Sequence, residues 1–223
     1  MYLKKDLVIT PACKGLRVSH IIKNGEHFYI LVNEGEEPIK GDVAFLTDGS
    51  VSLFDPWKGR ESGSDDKACY LGRRESLIIC AGKDPSRETV LHFTDRFGMP
   101  IREIEPDAWY NGSERISLGS WTENEELKDF YGTVSYRTEF EIDLKDVDKL
   151  ILDMGPVAEQ AEVYLNDEFV GYKLWAPYVM DVTSCVKQGK NDLKINVTNS
   201  LANKYTENRL PSGLLDRVVL KVY

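Results

Sequence analysis

The densest group of side chains that could do acid–base chemistry is an acidic run near the middle of the chain. It consists of Glu123, Glu125, Glu126 and Asp129. Catalysis by a carboxylate pair needs two such groups held at a fixed separation on either side of the reacting bond. Consecutive acidic residues with few apolar neighbours are more typical of a solvated connector, which can be helical. We therefore interpret the run as exposed and assign no catalytic role to it.

Nucleophilic triads and zinc sites both need histidine or cysteine beside other reactive groups. The three histidines, His20, His27 and His92, lie in the first half and outside any catalytic motif. The four cysteines form no C-x-x-C pair, which argues against a Cys/His zinc site. The sequence also has no P-loop and no dinucleotide fingerprint, and no Asp-rich loop with the ligand spacing of a calcium site. It therefore predicts no catalytic residue, no metal and no cofactor.

The charge balance limits the partners of the chain. The net charge is −9 and the sequence pI is about 5.0. Because an acidic chain repels phosphate backbones, we expect no nucleic-acid partner. No stretch approaches the roughly 20 apolar residues of a membrane span, so we expect no membrane partner. The first residues lack the apolar core of a signal peptide, which leaves a cytoplasmic protein or part of a longer chain as interpretations.

Short β-strands separated by turns are the dominant pattern. In the run 133–142, apolar and polar residues alternate with a period of two, which is typical of a half-buried antiparallel strand. Further short apolar runs recur between Gly- and Asn-containing turns, whereas 60–67 is polar enough to predict an exposed loop. Long amphipathic helices are missing from the sequence. The pattern predicts an all-β fold of antiparallel sandwiches.

The chain is long enough for two domains. A boundary is expected near 100–112, around Glu105-Pro106-Asp107, which gives an N-terminal sandwich over 1–104 and a second sandwich over 105–223. The second half carries nearly all of the net negative charge and no histidine. This shift in composition supports a division at that point.

Three stretches of the second half carry a resemblance to a known domain family. The first is Gly132 to Phe140, with Tyr136-Arg137 at its centre. The second is the hairpin Ala161 to Gly171, and the third is Gly189 to Asn199. In this order they resemble the sugar-binding domain of glycoside hydrolase family 2, a galactose-binding-like β-sandwich.

Other residues resemble the C-terminal region of the family 106 α-L-rhamnosidases. Ser212-Gly213-Leu214-Leu215 is similar to a motif at the end of that region, and Trp121 stands where that family has a tryptophan before the sandwich. In the first half, Phe28–Asn33 is similar to one of its strands and Phe54–Gly59 to another of its sequence motifs. The resemblance covers most of the chain. It implies two tandem sandwiches, the second a galactose-binding-like jelly roll.

The resemblance also implies where the chemistry lies. In these families the catalytic carboxylates belong to a separate catalytic domain, and no part of this sequence matches it. The family places the loop of Trp175 and Tyr178 near one end of the sandwich. A second, polar loop follows, with Asn199, Asn203, Glu207 and Arg209.

Aromatic and polar side chains together suit sugars, because sugars combine apolar C–H faces with hydroxyl groups. We therefore expect the two loops to converge on a carbohydrate, with Trp175 stacking and Arg209 or Asn203 hydrogen-bonding. The alternative is that Trp175 and Tyr178 pack at the edge of the core or against a catalytic domain.

The implied function is that of a non-catalytic, carbohydrate-binding accessory region of a glycoside hydrolase, rhamnosidase-like or family 2-like, acting on plant or bacterial polysaccharides. Its partners would be a carbohydrate and the catalytic domain of a parent enzyme. Three alternatives stay open: a purely structural or protein-interaction module, a carbohydrate-binding module that acts alone, and a small hydrolase.

Overall fold

The computed structural model describes residues 6–56, 59–63, 68–94, 99–125, 127–205 and 209–223. The chain divides into two compact units, Met1–Gly98 and Met99–Tyr223. Both consist of β-strands, and the described helical segments are single turns, among them α1 (Ala202–Tyr205). No described helix is long and apolar enough to cross a membrane. The predicted all-β fold is confirmed.

The first unit contains two sheets. Its strands are β1 (Leu7–Thr10), β2 (Leu16–Lys23), β3 (Glu26–Asn33), β4 (Gly41–Thr47), β5 (Ser52–Asp55), β6 (Arg60–Gly63), β7 (Ala68–Cys69), β8 (Ser76–Cys80) and β9 (Arg87–Phe93). One sheet has the order β1-β4-β9-β7 and the other β2-β3-β8-β5-β6. Among the described residues of this unit, every pairing is antiparallel except that of β7 with β9. Alternate residues such as Tyr29, Leu31, Val43 and Phe45 are buried in one core between the strands.

The local sequence explains the turn between β2 and β3, but it did not predict strand β6. The β2–β3 hairpin turns at Asn24-Gly25, where both residues have positive φ, as a two-residue hairpin loop requires. The exposed loop predicted for 60–67 was wrong in its first half, because Arg60–Gly63 pairs with β5 as an edge strand. Backbone hydrogen bonds form that strand, and a pattern of apolar and polar side chains does not report on such bonds. Residues 57–58 and 64–67 lie outside the described part of the chain.

The second unit contains a larger sandwich. Its strands are β10 (Arg102–Ile104), β11 (Trp109–Asn111), β12 (Glu114–Ile116), β13 (Thr133–Ile142), β14 (Leu150–Asp153), β15 (Val157–Ala158), β16 (Gln160–Leu165), β17 (Glu168–Lys173), β18 (Val179–Asp181), β19 (Gly189–Thr198), β20 (Gly213–Leu214) and β21 (Val219–Val222). A six-stranded sheet has the order β12-β11-β13-β19-β16-β17. A four-stranded sheet has the order β10-β21-β14-β18, and β15 pairs with β20.

The centre of the six-stranded sheet is formed by the two longest strands. β13 pairs with β19 over ten residues, from Thr133↔Thr198 to Ile142↔Gly189. Their inward residues, such as Tyr136, Phe140, Ile195 and Val197, are buried with residues of the four-stranded sheet in one core. Trp121 is part of this core. The outward residues alternate with them and remain at least partly exposed.

The boundary between the units falls before the position expected from sequence. Residues 99–104 were expected in the first domain, whereas β10 pairs with the C-terminal strand β21. The backbone N–H of Ile101 also donates to the carbonyl oxygen of Val222, at 2.8 Å. These bonds join the segment to the second unit, because a strand belongs with the sheet that satisfies its backbone groups.

Candidate functional site

The two loops expected to form a site both leave the same end of the six-stranded sheet. Gln160 pairs with Thr198, Thr198 pairs with Thr133, and Ala161 pairs with Lys173. Strand β17 therefore ends, and the loop of Trp175 begins, where β19 ends and the loop of Asn199 begins. The register of the sheet places these loops at a common edge of the second unit.

Trp175 is the aromatic residue that this end exposes in the first loop. Its side chain is 52% exposed, and the preceding Leu174 is 43% exposed. The loop is tied to the sandwich through Tyr178, whose carbonyl oxygen accepts from the Met154 N–H at 3.0 Å. The Tyr178 hydroxyl donates to the carbonyl oxygen of Glu159. A half-exposed ring on an anchored loop can offer one face to a ligand with little loss of conformational entropy.

Tyr178 itself has a structural position. Its side chain is buried in the core of the second unit, and burial raises the pKa of the phenol, with the nearby Glu159 charge as a smaller cause. The ring has no open face for stacking. Of the two aromatic residues expected to bind a sugar, Trp175 presents its surface and Tyr178 fixes the loop that carries it.

The side-chain amides of Asn199 and Asn203 fix the second loop through hydrogen bonds within the chain. Asn199 accepts from the Gly132 N–H at 3.0 Å and donates to the Phe130 carbonyl at 2.9 Å. The buried Asn203 accepts from the Leu210 N–H and donates to the Leu210 carbonyl, both at 2.8 Å. Both amides also donate to the Ser212 hydroxyl at 3.1 Å. Because the amide groups already have partners within the chain, little of their hydrogen-bonding capacity is left for a sugar.

Arg209 is held by the turn before β13. Its guanidinium donates to the Lys128 carbonyl at 2.8 Å and forms an ion pair with the Asp129 carboxylate. The structure thus brings Asn199, Asn203 and Arg209 close to one another, where their hydrogen bonds fix the conformation of the loop. Glu207, the remaining residue of the expected set, lies outside the described residues.

Two exposed tyrosines lie near these loops, and no pattern in the sequence had marked them as candidate site residues. Tyr131 is 43% exposed and Tyr205 is 72% exposed. The Lys204 ammonium lies between them, 4.1 Å from the centroid of the Tyr131 ring and 5.3 Å from that of Tyr205. Lys204 also donates to the Tyr131 hydroxyl at 2.8 Å, and this bond lowers the pKa of that phenol. Single aromatic residues in loops carry no periodic pattern, so only the fold could group them.

The acidic run has the surface character that the sequence predicted. Glu125 accepts an ion-pair hydrogen bond from Lys128 at 2.6 Å, which lowers the pKa of its carboxyl group. Asp129 pairs with Arg209, and Glu126 lies outside the described residues. Among the described residues no group of three His, Cys, Asp or Glu side chains has the arrangement of a metal site.

Comparison with known proteins agrees with this architecture. Residues 119–215 match the family described as glycosyl hydrolase 2 galactose-binding domain-like. A protein from Formosa agariphila named "Putative beta-glucuronidase" is 47% identical over 92 residues, which are 39% of this chain and 8% of that protein. The resemblance to a family 2 sugar-binding domain is therefore confirmed, and the second unit contains a galactose-binding-like domain.

One solved structure extends the likeness of fold to both units. A rhamnosidase from Novosphingobium sp. PP1Y matches over 98% of this chain and 25% of its own, with a TM-score of 0.71 and 22% identity. A family 2 β-glucuronidase matches over 58% of this chain and 18% of its own, with a TM-score of 0.47. This chain thus spans a small part of each of the proteins it resembles.

Proposed function

We propose that this chain is a non-catalytic accessory region of a larger glycoside hydrolase that acts on plant or bacterial polysaccharides. The observation that supports it most is the combination of a galactose-binding-like domain with partial coverage. The chain matches a rhamnosidase across both of its units but spans a quarter of that protein. The relative named as a β-glucuronidase shares 47% identity over a segment that is 8% of its length. In this proposal, the catalytic carboxylates belong to a domain outside these 223 residues.

The carbohydrate contact is assigned to the end of the second unit that carries Trp175. The half-exposed indole is the stacking surface. The side chains of Glu159 and Gln160 are exposed beside the anchor of its loop and supply acceptors and donors for hydroxyl groups. In this proposal Asn199, Asn203 and Arg209 hold the neighbouring loop in place through bonds within the chain. The direct contact with a sugar that the sequence led us to expect of them stays a prediction.

A structural role without its own sugar site is the second candidate. It is favoured by the internal bonds of Asn199, Asn203 and Arg209, which make this end a well-fixed surface. Apolar side chains are also exposed nearby, since Leu201 is 52% and Leu210 46% exposed. Such a surface suits contact with a further protein domain as well as with a sugar.

Two assays on the purified chain separate these functions. Hydrolysis is measured with 4-nitrophenyl glycosides of rhamnose, galactose and glucuronic acid, and binding is measured by calorimetry with sugars and oligosaccharides up to about 50 mM. The accessory role predicts no hydrolysis above the buffer rate and saturable binding of at least one glycan. Turnover that follows the chain through purification would contradict a non-catalytic role. No binding across the whole panel would favour the structural candidate.

A further inference from the structure

One row of paired positions crosses the outer face of the six-stranded sheet and contains only cations and aromatic rings. The register pairs Arg115 with Tyr110, Tyr110 with Arg137, and Arg137 with Lys194. Lys194 in turn pairs with Tyr164, and Tyr164 with Phe169. We call these six residues the aromatic–cation row: Arg115, Tyr110, Arg137, Lys194, Tyr164 and Phe169. The row includes one residue from every strand of the sheet.

The alternation of the strands fixes the direction of these side chains. Their chain neighbours Tyr136, Ile195 and Val163 are buried in the core, so the row residues point to the opposite face. A β-bulge between Val163 and Tyr164 changes the register with β17. As a result Phe169 and Tyr172, three positions apart, both lie opposite outward residues, and they are 53% and 59% exposed. The bulge adds a fourth ring to this face.

Three members of the row, Lys194, Tyr164 and Phe169, are in direct contact. The Lys194 ammonium lies 4.0 Å from the centroid of the Tyr164 ring, and the Tyr164 and Phe169 centroids are 5.5 Å apart. Arg137 is held by Asp192 at 3.2 Å and more loosely by Asp167 at 3.5 Å. Six neighbouring strands at about 4.8 Å spacing give the row a length of about 24 Å. That length exceeds a single sugar and suits an extended chain.

Hydrogen-bonding groups lie beside the row. On one side, Asn196 donates to the Glu162 carboxylate at 2.9 Å, and Glu162 pairs with Tyr172. On the other side, a groove of about 350 Å³ opens at Tyr110 and Arg137, lined also by Asp107, Glu139 and Asp192. A face of this kind differs from a hydrophobic docking surface, because charged or amide groups separate the rings.

We propose that the aromatic–cation row binds an acidic polysaccharide that lies across the strands. The rings stack on the apolar faces of the sugar units, and Arg115, Arg137 and Lys194 pair with carboxylate or sulfate groups along the chain. Single-stranded nucleic acid also combines rings with anions, but its units carry far fewer hydroxyl groups than sugar units do. The carboxylates of Glu162, Glu139 and Asp192 beside the row can accept hydrogen bonds from the hydroxyl groups of a sugar chain, and oligo(dT) has no such hydroxyl groups along its backbone. This site is separate from the Trp175 loop and does not depend on the function proposed for it.

The test compares two lysines on one strand. Lys190 lies on the same outward face of β19 as Lys194, about 13 Å along the strand and off the row. Lys194→Gln and Lys190→Gln therefore remove the same charge from the same strand. Binding to polygalacturonate, dextran sulfate, neutral dextran and oligo(dT) is measured by affinity electrophoresis of the full chain, with circular dichroism to verify folding.

The row predicts binding to polygalacturonate or dextran sulfate that is weak or absent with dextran. Lys194→Gln and Arg115→Gln should each weaken binding by about three- to fivefold, and Phe169→Ala by a similar factor. Lys190→Gln should change it less than about twofold, because Lys190 lies off the row and its exposed ammonium is already paired with Glu139. Preference for polygalacturonate identifies a carboxylate ligand, and preference for dextran sulfate a sulfated one.

Three results would overturn the proposal. An equal loss of affinity in Lys190→Gln and Lys194→Gln would mean that the polymer is attracted by the overall charge of the face and not by the aromatic–cation row. Tighter binding of oligo(dT) than of either acidic polysaccharide would point to nucleic acid. Absence of binding to both acidic polymers at about 0.05 M salt, where screening is weak, would show that this face is not a glycan site. Failure of the Trp175 site would leave each of these readouts unchanged.

Discussion

The indole N–H of Trp121 donates a hydrogen bond to the hydroxyl oxygen of Tyr136, 2.6 Å away, inside the core of the second unit. Both side chains are buried. The Leu214 N–H also lies 3.5 Å from the Tyr136 hydroxyl, so strand β20 closes over the pair. A buried polar pair of this kind stabilises one arrangement of the core, because either group left alone would lack a partner.

Gly213 packs directly against this pair, and Gly213→Ala should be strongly destabilising. A Cβ at residue 213 would lie 2.5 Å from Trp121 Nε1 and 2.8 Å from the Tyr136 hydroxyl, and the backbone φ is +112°. We expect a loss of about 2–4 kcal/mol in the free energy of unfolding, measured with urea. Gly189→Ala is the control, since its φ of +84° is also positive but its Cβ meets open space. It should cost only about 1 kcal/mol. Equal losses would mean that the Trp121–Tyr136 pair can move aside.

Tyr136 should make the second unit less stable at alkaline pH. Burial raises the pKa of its phenol above the ordinary value of 10.0, against smaller opposite effects of its hydrogen bonds. Above that pH the unfolded chain loses the proton while the folded chain keeps it, so stability falls as pH rises through the folded pKa. Below pH 10 this contribution is constant.

The measurement is urea unfolding at pH values between about 8 and 11, followed by tryptophan fluorescence. Tyr136→Phe removes one titrating group and should make the alkaline slope shallower. A part of the slope should remain, because burial also raises the pKa of Tyr178. It should also lower stability at neutral pH by about 1–3 kcal/mol, because the Trp121 N–H loses its acceptor. An unchanged alkaline slope in this variant would contradict the assignment.

Asn203 should affect folding more than ligand binding. Asn203→Ala removes three buried or half-buried hydrogen bonds to Leu210 and Ser212. We expect a loss of about 2–3 kcal/mol in the free energy of unfolding. The neighbouring Leu201→Ala, at a half-exposed position, should change it by less than about 0.5 kcal/mol. If the Asn203→Ala variant is as stable as the unchanged chain but has lost its affinity for sugar, Asn203 contacts the sugar directly and this prediction is contradicted.

The sequence predicted the fold well where side chains alternate regularly. The expected strand 133–142 matches β13, because one face of it is buried and a shift by one residue would expose that face. The pattern of apolar and polar residues did not predict Arg60–Gly63, an edge strand that is held by backbone hydrogen bonds. It also placed the boundary too late, since β10 has little apolar character and joins β21 through its backbone.

The site residues stay predictions, and the structure adds which of them the fold exposes and which it bonds within the chain. Trp175 is exposed as a stacking residue must be, and that much follows from a tryptophan in a loop. Sequence could not reveal that Asn199 and Asn203 would find partners at Phe130, Leu210 and Ser212, because those contacts are set by the fold. The aromatic–cation row was likewise invisible, since its members come from six strands whose order only the sheet defines.

The most direct test of the carbohydrate-binding account is calorimetric titration of Trp175→Ala beside the unchanged chain. Calorimetry is chosen because removal of the indole would also remove a fluorescence signal. The panel contains rhamnose, galactose, glucuronic acid and short oligosaccharides, and Leu174→Ala serves as the neighbouring exposed control. We predict saturable binding that weakens by roughly tenfold in Trp175→Ala, as the loss of a stacking surface implies. Leu174→Ala should bind almost as the unchanged chain does. Unaltered affinity in Trp175→Ala would contradict the assignment of this loop to carbohydrate binding.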